Sequence, residues 1–198
     1  VAMKKMKLKK HVTSFSGKSA FAEIKEGLKY IAKDPVVRVL ILMVASMSLF
    51  GLSFATLLPA WSVNILGGDS ATNGFLQSAR GAGALVSALF IASLGRFKYK
   101  GKLLVIGSIS FPVIMFVFSF VHIIPLSVII IFALGSALIL VMNIANSLVQ
   151  TLVPDHLRGR VMGIYTLTFF GLLPIGSLLI GTLAENFGES EAILLCSI

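Results

Sequence analysis

An all-α integral membrane protein is the fold class this sequence predicts, and three observations predict it. The 198 residues are 57% hydrophobic, with a mean hydropathy of +0.97. Only 13% are charged, against about a quarter in an ordinary soluble domain. The apolar residues are gathered into uninterrupted runs, and lysine and arginine are confined almost entirely to alternate gaps between them. A water-soluble fold of this size would have to leave much of that apolar surface in contact with water. The solvent that suits the chain is a lipid bilayer.

Residues 1–35 are expected to form a basic linker on the cytoplasmic side. The first ten residues hold five lysines: Lys4, Lys5, Lys7, Lys9 and Lys10. No apolar core follows at the distance a secretory signal requires, and the chain reads as the middle of a longer protein. In SAFAEIKEGLKYIAKDP, Phe21, Ile24, Leu28 and Ile31 recur at helical spacing, while Lys25, Lys29 and Lys33 take another face. That pattern predicts an amphipathic helix in the membrane interface, its cations toward lipid headgroups. A solvated linker helix is the alternative. Asp34-Pro35 ends the helix, because the residue before a proline is driven out of the helical region.

Residues 36–198 are expected to form a transmembrane helical half-bundle. A spanning helix needs about 20 apolar residues. The stretches 36–64, 74–94, 103–121, 126–149 and 161–187 meet that requirement, and a truncated sixth span begins at Ala192. Of the 17 basic residues, ten lie before the first span or in its first turn, the last being Arg38. Arg96, Lys98, Lys100 and Lys102 follow the second span, and Arg158 and Arg160 follow the fourth. The connectors NILGGDSATN, HIIP and ENFGESE carry none. Strict alternation of this kind is the positive-inside pattern. It predicts a multi-pass protein of the cell (inner) membrane with its N-terminal end cytoplasmic. The bilayer is the predicted partner; nucleic acid is not, because the basic groups hug the membrane and no aromatic stacking platform is interleaved with them.

Catalytic chemistry has little footing. The histidines His11, His122 and His156 sit in separate connectors, Cys196 is the lone cysteine, and the span interiors contain no acid, Glu185 standing at the very end of the fifth. No catalytic residue, metal site or cofactor is therefore predicted. Arg80 is the sharpest single residue, since a charge within a span is a functional candidate by default. The alternative is that its long side chain snorkels outward, because it lies only about 9 Å along a helix starting near Gly74 at 1.5 Å per residue. Ser136, Asn143, Asn146 and Gln150, spaced by 7, 3 and 4, share one helical face. Amides in lipid must face protein or water, so this stripe either lines a cavity or bonds a neighbouring helix. Gln77, Asn64 and Trp61 are weaker cavity candidates, with an anchor at the membrane interface as the alternative for Trp61. Gly81 and Gly83 of the second span and Gly171, Pro174, Gly176 and Gly181 of the fifth are candidates for close helix packing or bending.

The order of these features resembles the C-terminal half of a major facilitator superfamily transporter. The resemblance covers nearly everything from Phe21 onward. It is carried by the ARGAGAL second span, by NSLVQTLVPDHLRGRVMGIY with Gln150, Pro154, Arg158-Gly159-Arg160 and Gly163, and by GLLPIGSLLIGTLAENFG. The nearest branch is the one with enterobactin exporters and macrolide-efflux proteins. The resemblance implies half of a twelve-helix bundle, the five spans being helices seven to eleven. It implies a partner half of six further helices and a small-molecule substrate exported by proton antiport. It also implies a cytoplasmic gate at Pro154, Asp155, Arg158, Gly159 and Arg160, with Pro154 and Asp155 starting the fifth helix. Arg80, Gln77, Asn143, Asn146 and Trp61 are the residues expected at the substrate cavity. SLGRFKYKGK departs from the family pattern in lacking an acid. The alternative function is a non-transporting scaffold or regulatory module that pairs with a separate chain.

Overall fold

The structure, a computed structural model, describes residues 20–93 and 99–197. The basic stretch before Ala20, and Arg96 and Lys98 of the second basic connector, lie outside the described residues. Among those described, every element is helical. We number them α1 (Ala20–Lys33), α2 (Pro35–Ile65), α3 (Ser70–Ser93), α4 (Lys100–Phe118), α5 (Ile124–Leu152), α6 (Asp155–Phe187) and α7 (Glu189–Ser197). The five from α2 to α6 are long and apolar enough to cross a membrane. The chain is a multi-pass membrane protein.

The Asp34-Pro35 break takes a definite form. The Asp34 carboxylate accepts hydrogen bonds from the backbone N–H groups of Val36 (3.0 Å) and Val37 (3.1 Å). Pro35 occupies the first turn, where its missing N–H costs nothing. One residue thus stops α1 and caps α2, and the linker helix joins the first span with no slack.

That first span is irregular. Its backbone is α-helical over Pro35–Ser46, π-helical over Met47–Leu52 and 3-10 over Ser53–Leu57, and becomes π-helical again over Trp61–Ile65. Irregular backbone at membrane depth survives only where protein covers it, and α6 supplies the cover. The Ser48 hydroxyl donates to the Phe169 carbonyl at 2.5 Å and Ser53 donates to the Leu173 carbonyl at 3.3 Å. Gly176 lies so close to Leu49 that a Cβ there would strike the Leu49 carbonyl. On its other side α2 packs through aromatic rings. Phe54 stands edge-on to Phe111 and Phe118, each at 6.4 Å, and Trp61 stacks on Phe118 at 4.7 Å.

A second close crossing joins α3 to α5. A Cβ on Gly83 would strike the Phe132 carbonyl, and one on Gly135 would strike the backbone of Arg80. Ser136 fills the remaining space and donates to the Gly83 carbonyl at 2.9 Å. Small residues let two helices approach until dispersion and such bonds hold them, since lipid provides no hydrophobic drive for helix association. Gly81, by contrast, has nothing within 4 Å of where a Cβ would stand, and the same is true of Gly181. Gly171 meets only Leu167 of its own helix, at 3.8 Å. Of the glycines expected to pack, Gly83 and Gly176 form contacts inside this chain. Gly81, Gly171 and Gly181 do not, because their helix faces look outward.

The packing divides the helices. α5 lies against α3 and α4, whereas α6 lies against α1, α2 and α7. α5 and α6 are joined by Val153 and Pro154 alone, yet they touch sparingly and a gap opens between them.

The connectors gather at two ends. At the basic end, Lys100 at the start of α4 donates to Ser147 near the end of α5 (3.1 Å), and α1 meets the start of α6. At the other end, Asn64 donates to Glu189 (2.6 Å), tying the end of α2 to α7. Gly67 and Gly188 turn the chain there with φ of 60° and 97°, a backbone region that disfavours side chains. The Gly83 crossing yields a direct check. Gly83→Ala is expected to lower stability by about 1–3 kcal/mol, read as a drop in the thermal midpoint in detergent. Gly81→Ala, in open space, is expected to leave the midpoint unchanged or slightly raised.

Candidate functional site

The gap between α5 and α6 holds a half-open cavity of about 380 Å³. From α5 it is lined by Asn143 and Asn146, and from α6 by Tyr165, Thr166, Phe169 and Phe170. The sequence stripe on α5 therefore divides by function along its length. Ser136 is spent on the crossing with α3. Asn143 and Asn146 face the cavity, and Gln150 donates to the Asn146 side-chain oxygen at 2.6 Å, fixing its orientation. Tyr165 donates to the Met142 carbonyl at 3.2 Å, anchoring the aromatic side of the cavity to the amide side. Phe169 and Phe170 meet edge-on, with centroids 4.8 Å apart. The lining thus offers amide donors and acceptors beside aromatic faces, with no formal charge.

The other cavity candidates lie elsewhere. Trp61 is fully buried against Phe118, with its indole ring 6.5 Å from that of His122. It faces α4 rather than the gap and does not line this cavity. Gln77 and Arg80 lie one turn apart on α3, both partly buried, and neither borders the α5–α6 cavity. The Arg80 guanidinium makes no ion pair or hydrogen bond among the described residues. Its backbone, meanwhile, is pinned against Gly135.

The polar segment before residue 161 is helical, with its start where the resemblance implied, at Pro154 and Asp155. Pro154 adopts an extended ψ of 146° and α6 begins at Asp155, so Asp155 to Arg160 form its opening turns ahead of the apolar run. Asp155 stands where the helix dipole favours an acid, and it pairs with Arg158 at 2.6 Å. Arg158 also reaches back to the end of α5, donating to the carbonyls of Gln150 (2.8 Å) and Val153 (3.4 Å). A cation there satisfies carbonyls that the helix end leaves without partners. Arg160 points the opposite way, into α1. It lies 3.0 Å from Glu26 and 3.4 Å from Glu23. Gly159 has open space around it.

Sequence reasoning missed Tyr165, Thr166, Phe169 and Phe170, although the run YTLTFF directly after VMGI is an aromatic-rich signal. It also missed Glu23 and Glu26 as partners of Arg160, which nothing local could indicate. Outside the spans, Asp69 and Tyr30 have shifted acidity. Asp69 precedes α3 and accepts from the Thr72 N–H (3.0 Å) and hydroxyl (3.1 Å), which hold its carboxyl below the usual carboxylate range. Burial, followed by the nearby Asp34 charge, pushes the Tyr30 phenol up.

Over residues 1–198 the sequence matches the family described as transmembrane secretion effector. The chain belongs to that family, within the major facilitator superfamily. It is similar to the multidrug efflux pump Tap of Mycolicibacterium fortuitum, with 27% identity over 181 residues covering 91% of this chain and 44% of the pump. The chain thus spans less than half the length of that curated relative. No solved structure matches it. For a major facilitator chain, a splayed α5–α6 pair bridged at its basic end by Arg158 has a measurable consequence. Arg158→Gln is expected to speed amide exchange in the last turn of α5 by roughly fivefold, the equivalent of a lost bond of about 1 kcal/mol, while the α3–α5 crossing is unaffected.

Proposed function

We propose that this chain forms the C-terminal half of a secondary active exporter. On this reading it pairs with a six-helix N-terminal half and moves a small amphipathic compound, such as a drug or siderophore, out of the cell by alternating access. The carrying observation is the α5–α6 cavity, where Asn143 and Asn146 face Tyr165, Thr166, Phe169 and Phe170. Amides beside aromatic faces suit a ligand with a flat apolar body and a few polar groups, because the rings supply contact area and the amides orient it. Membership of the major facilitator superfamily and similarity to a protein named as a multidrug efflux pump support the same reading.

The alternation of basic connectors supports a cell-membrane orientation with the basic end cytoplasmic. In that orientation Pro154, Asp155, Arg158, Gly159 and Arg160 form a cytoplasmic gate element. Arg158 holds the end of α5 and Arg160 holds α1, so a tilt of α6 strains both attachments. Gly81, Gly171 and Gly181, open in this chain, offer smooth helix surface to the partner half. Arg80, a cation without a partner among the described residues, is proposed to meet an acidic group on the substrate or on the partner half. Proton antiport drives the cycle in this scheme, with the proton carrier in the N-terminal half.

Two experiments test the scheme. Arg80→Ala is expected to cut efflux at least about tenfold, a loss of roughly 1.4 kcal/mol in transition-state terms, while membrane abundance is unchanged; unaltered efflux would demote the residue to a snorkelling one. Arg158→Gln combined with Arg160→Gln is expected to shift the balance of inward-open and outward-open forms. The readout is cysteine accessibility from the two sides of the membrane, and an identical pattern in variant and parent counts against a gate here.

A further inference from the structure

The helix α1 is engaged on one face and unengaged on the rest. Its inner face meets α6. Gly27 is buried there, and a Cβ on it would stand 2.7 Å from Ile164 Cδ1 and 3.4 Å from Arg160 Cβ. Ile31 is also buried, and Glu23 and Glu26 converge on Arg160. The rest of its circumference is uncovered. Phe21 is 84% exposed, Leu28 52% and Ile24 46%, forming an apolar stripe. Lys25, Lys29 and Lys33 flank that stripe, all exposed and without an ion pair among the described residues.

The attachment to α2 fixes what this outer surface meets. Only Asp34 separates Lys33 from Pro35. Val36 and Val39, in the first turns of the span, are themselves 54% and 59% exposed. With no slack in the chain, α1 must lie at the level where the span enters lipid. An apolar stripe edged by three cations matches a leaflet surface bearing negative headgroups, in both charge and polarity.

We propose that α1 is a latch read by the charge of the membrane: an anionic phospholipid leaflet holds its lysine and apolar faces, and thereby keeps Glu23 and Glu26 on Arg160. This deepens the gate reading above and rests on it for its consequence, though not for its test. The partly exposed pairs with Arg160 are weak alone, since such pairs compete with water and side-chain freedom. The lipid surface supplies the rest. When α1 lies flat on an anionic leaflet, its acids stay in register with the opening turns of α6. When surface charge is removed, the helix is freer to lift and Arg160 is released. Surface charge on the leaflet thereby sets how readily α6 can tilt.

Hydrogen exchange on the protein in nanodiscs tests this without reference to transport. The two lipid compositions are pure phosphatidylcholine and phosphatidylcholine with 30% phosphatidylglycerol (a probe composition of about one anionic lipid in three). The anionic discs are expected to slow exchange over α1 by at least about tenfold, given a preference of about fivefold per lysine near an anionic surface. They are also expected to slow the opening turns of α6. The variant Lys25→Gln/Lys29→Gln/Lys33→Gln is expected to lose both effects. The variant Glu23→Gln/Glu26→Gln is expected to keep the slowing over α1 and lose it over α6. Equal exchange of the parent protein in the two compositions overturns the proposal. So does a lysine variant that still responds to the anionic lipid, or a glutamate variant that still passes the slowing to α6. If exchange ignores the lipid while Arg80→Ala abolishes efflux, the latch fails and the transport reading stands. If exchange behaves as expected while Arg80→Ala leaves efflux intact, the latch stands and the assignment of Arg80 fails.

Discussion

The hydrocarbon core of a bilayer donates and accepts no hydrogen bonds, and the architecture follows from that constraint. A backbone group left open at membrane depth costs several kcal/mol. The first span leaves the regular helical ladder across residues 47–65, so it cannot stand as an isolated rod in hydrocarbon. It is stable because Ser48 and Ser53 face α6 and bond to its carbonyls, and because Gly176 lets the two backbones close on each other. Pro174 belongs to the same stretch of α6, with its own side chain exposed. It removes one N–H from the α6 ladder, within the same few residues where α2 departs from its own. The irregular stretch of α2 is covered by α6 through these contacts.

The cavity follows from the same geometry. α6 is drawn toward α2 by these contacts, and α5 is drawn toward α3 by the Gly83 and Gly135 crossing. Two adjacent helices pulled to opposite sides must separate along the stretch between their shared connector and their far ends. The α5–α6 gap is that separation. Its polar lining is a consequence as much as a function, because the amides of Asn143 and Asn146 would be untenable against lipid and need an enclosed, wettable space. Packing at two glycine-rich crossings thus sets where the cavity opens.

The parts of this arrangement legible in the sequence are those that lipid enforces residue by residue. A span needs an unbroken apolar run, so the five spans could be read directly, and Asp34-Pro35 announced the break between linker and bundle. Geometry that carries no compositional mark was illegible. A π-helical segment such as Met47–Leu52 has the same apolar composition as the α-helix before it. The opening turns of α6 are polar, so an apolar-run criterion began the span at residue 161, and only the resemblance pointed to the start at Pro154 and Asp155. The stripe on α5 was visible as a shared face, yet periodicity alone could not divide it between helix contact and cavity. Glu23 and Arg160 are 137 residues apart in the chain, and only the fold brings them together. Trp61 read as a cavity or interface residue by its type, whereas aromatic stacking against Phe118 buries it entirely.

The two arginines of the VPDHLRGR segment illustrate how one short polar stretch carries two separable duties. Both count equally as positive charge retained at one end of the bundle, and to a charge census they are interchangeable. Their spacing makes them mechanically different. Two residues on a helix turn the side chain by about 200°, so Arg158 and Arg160 must face opposite sides of α6. Arg158 is turned back to α5 and Asp155, within its own hairpin; Arg160 is turned out to the acids of α1. The start of α6 is therefore held from both flanks, by a contact that travels with the hairpin and by one that belongs to the linker. A rigid displacement of α5 and α6 together preserves the first and breaks the second. A displacement of α6 against α5 strains the first. The two ion-pair sites would thus be strained by different displacements of the same helix, and the glycine between them leaves open space where a side chain would stand.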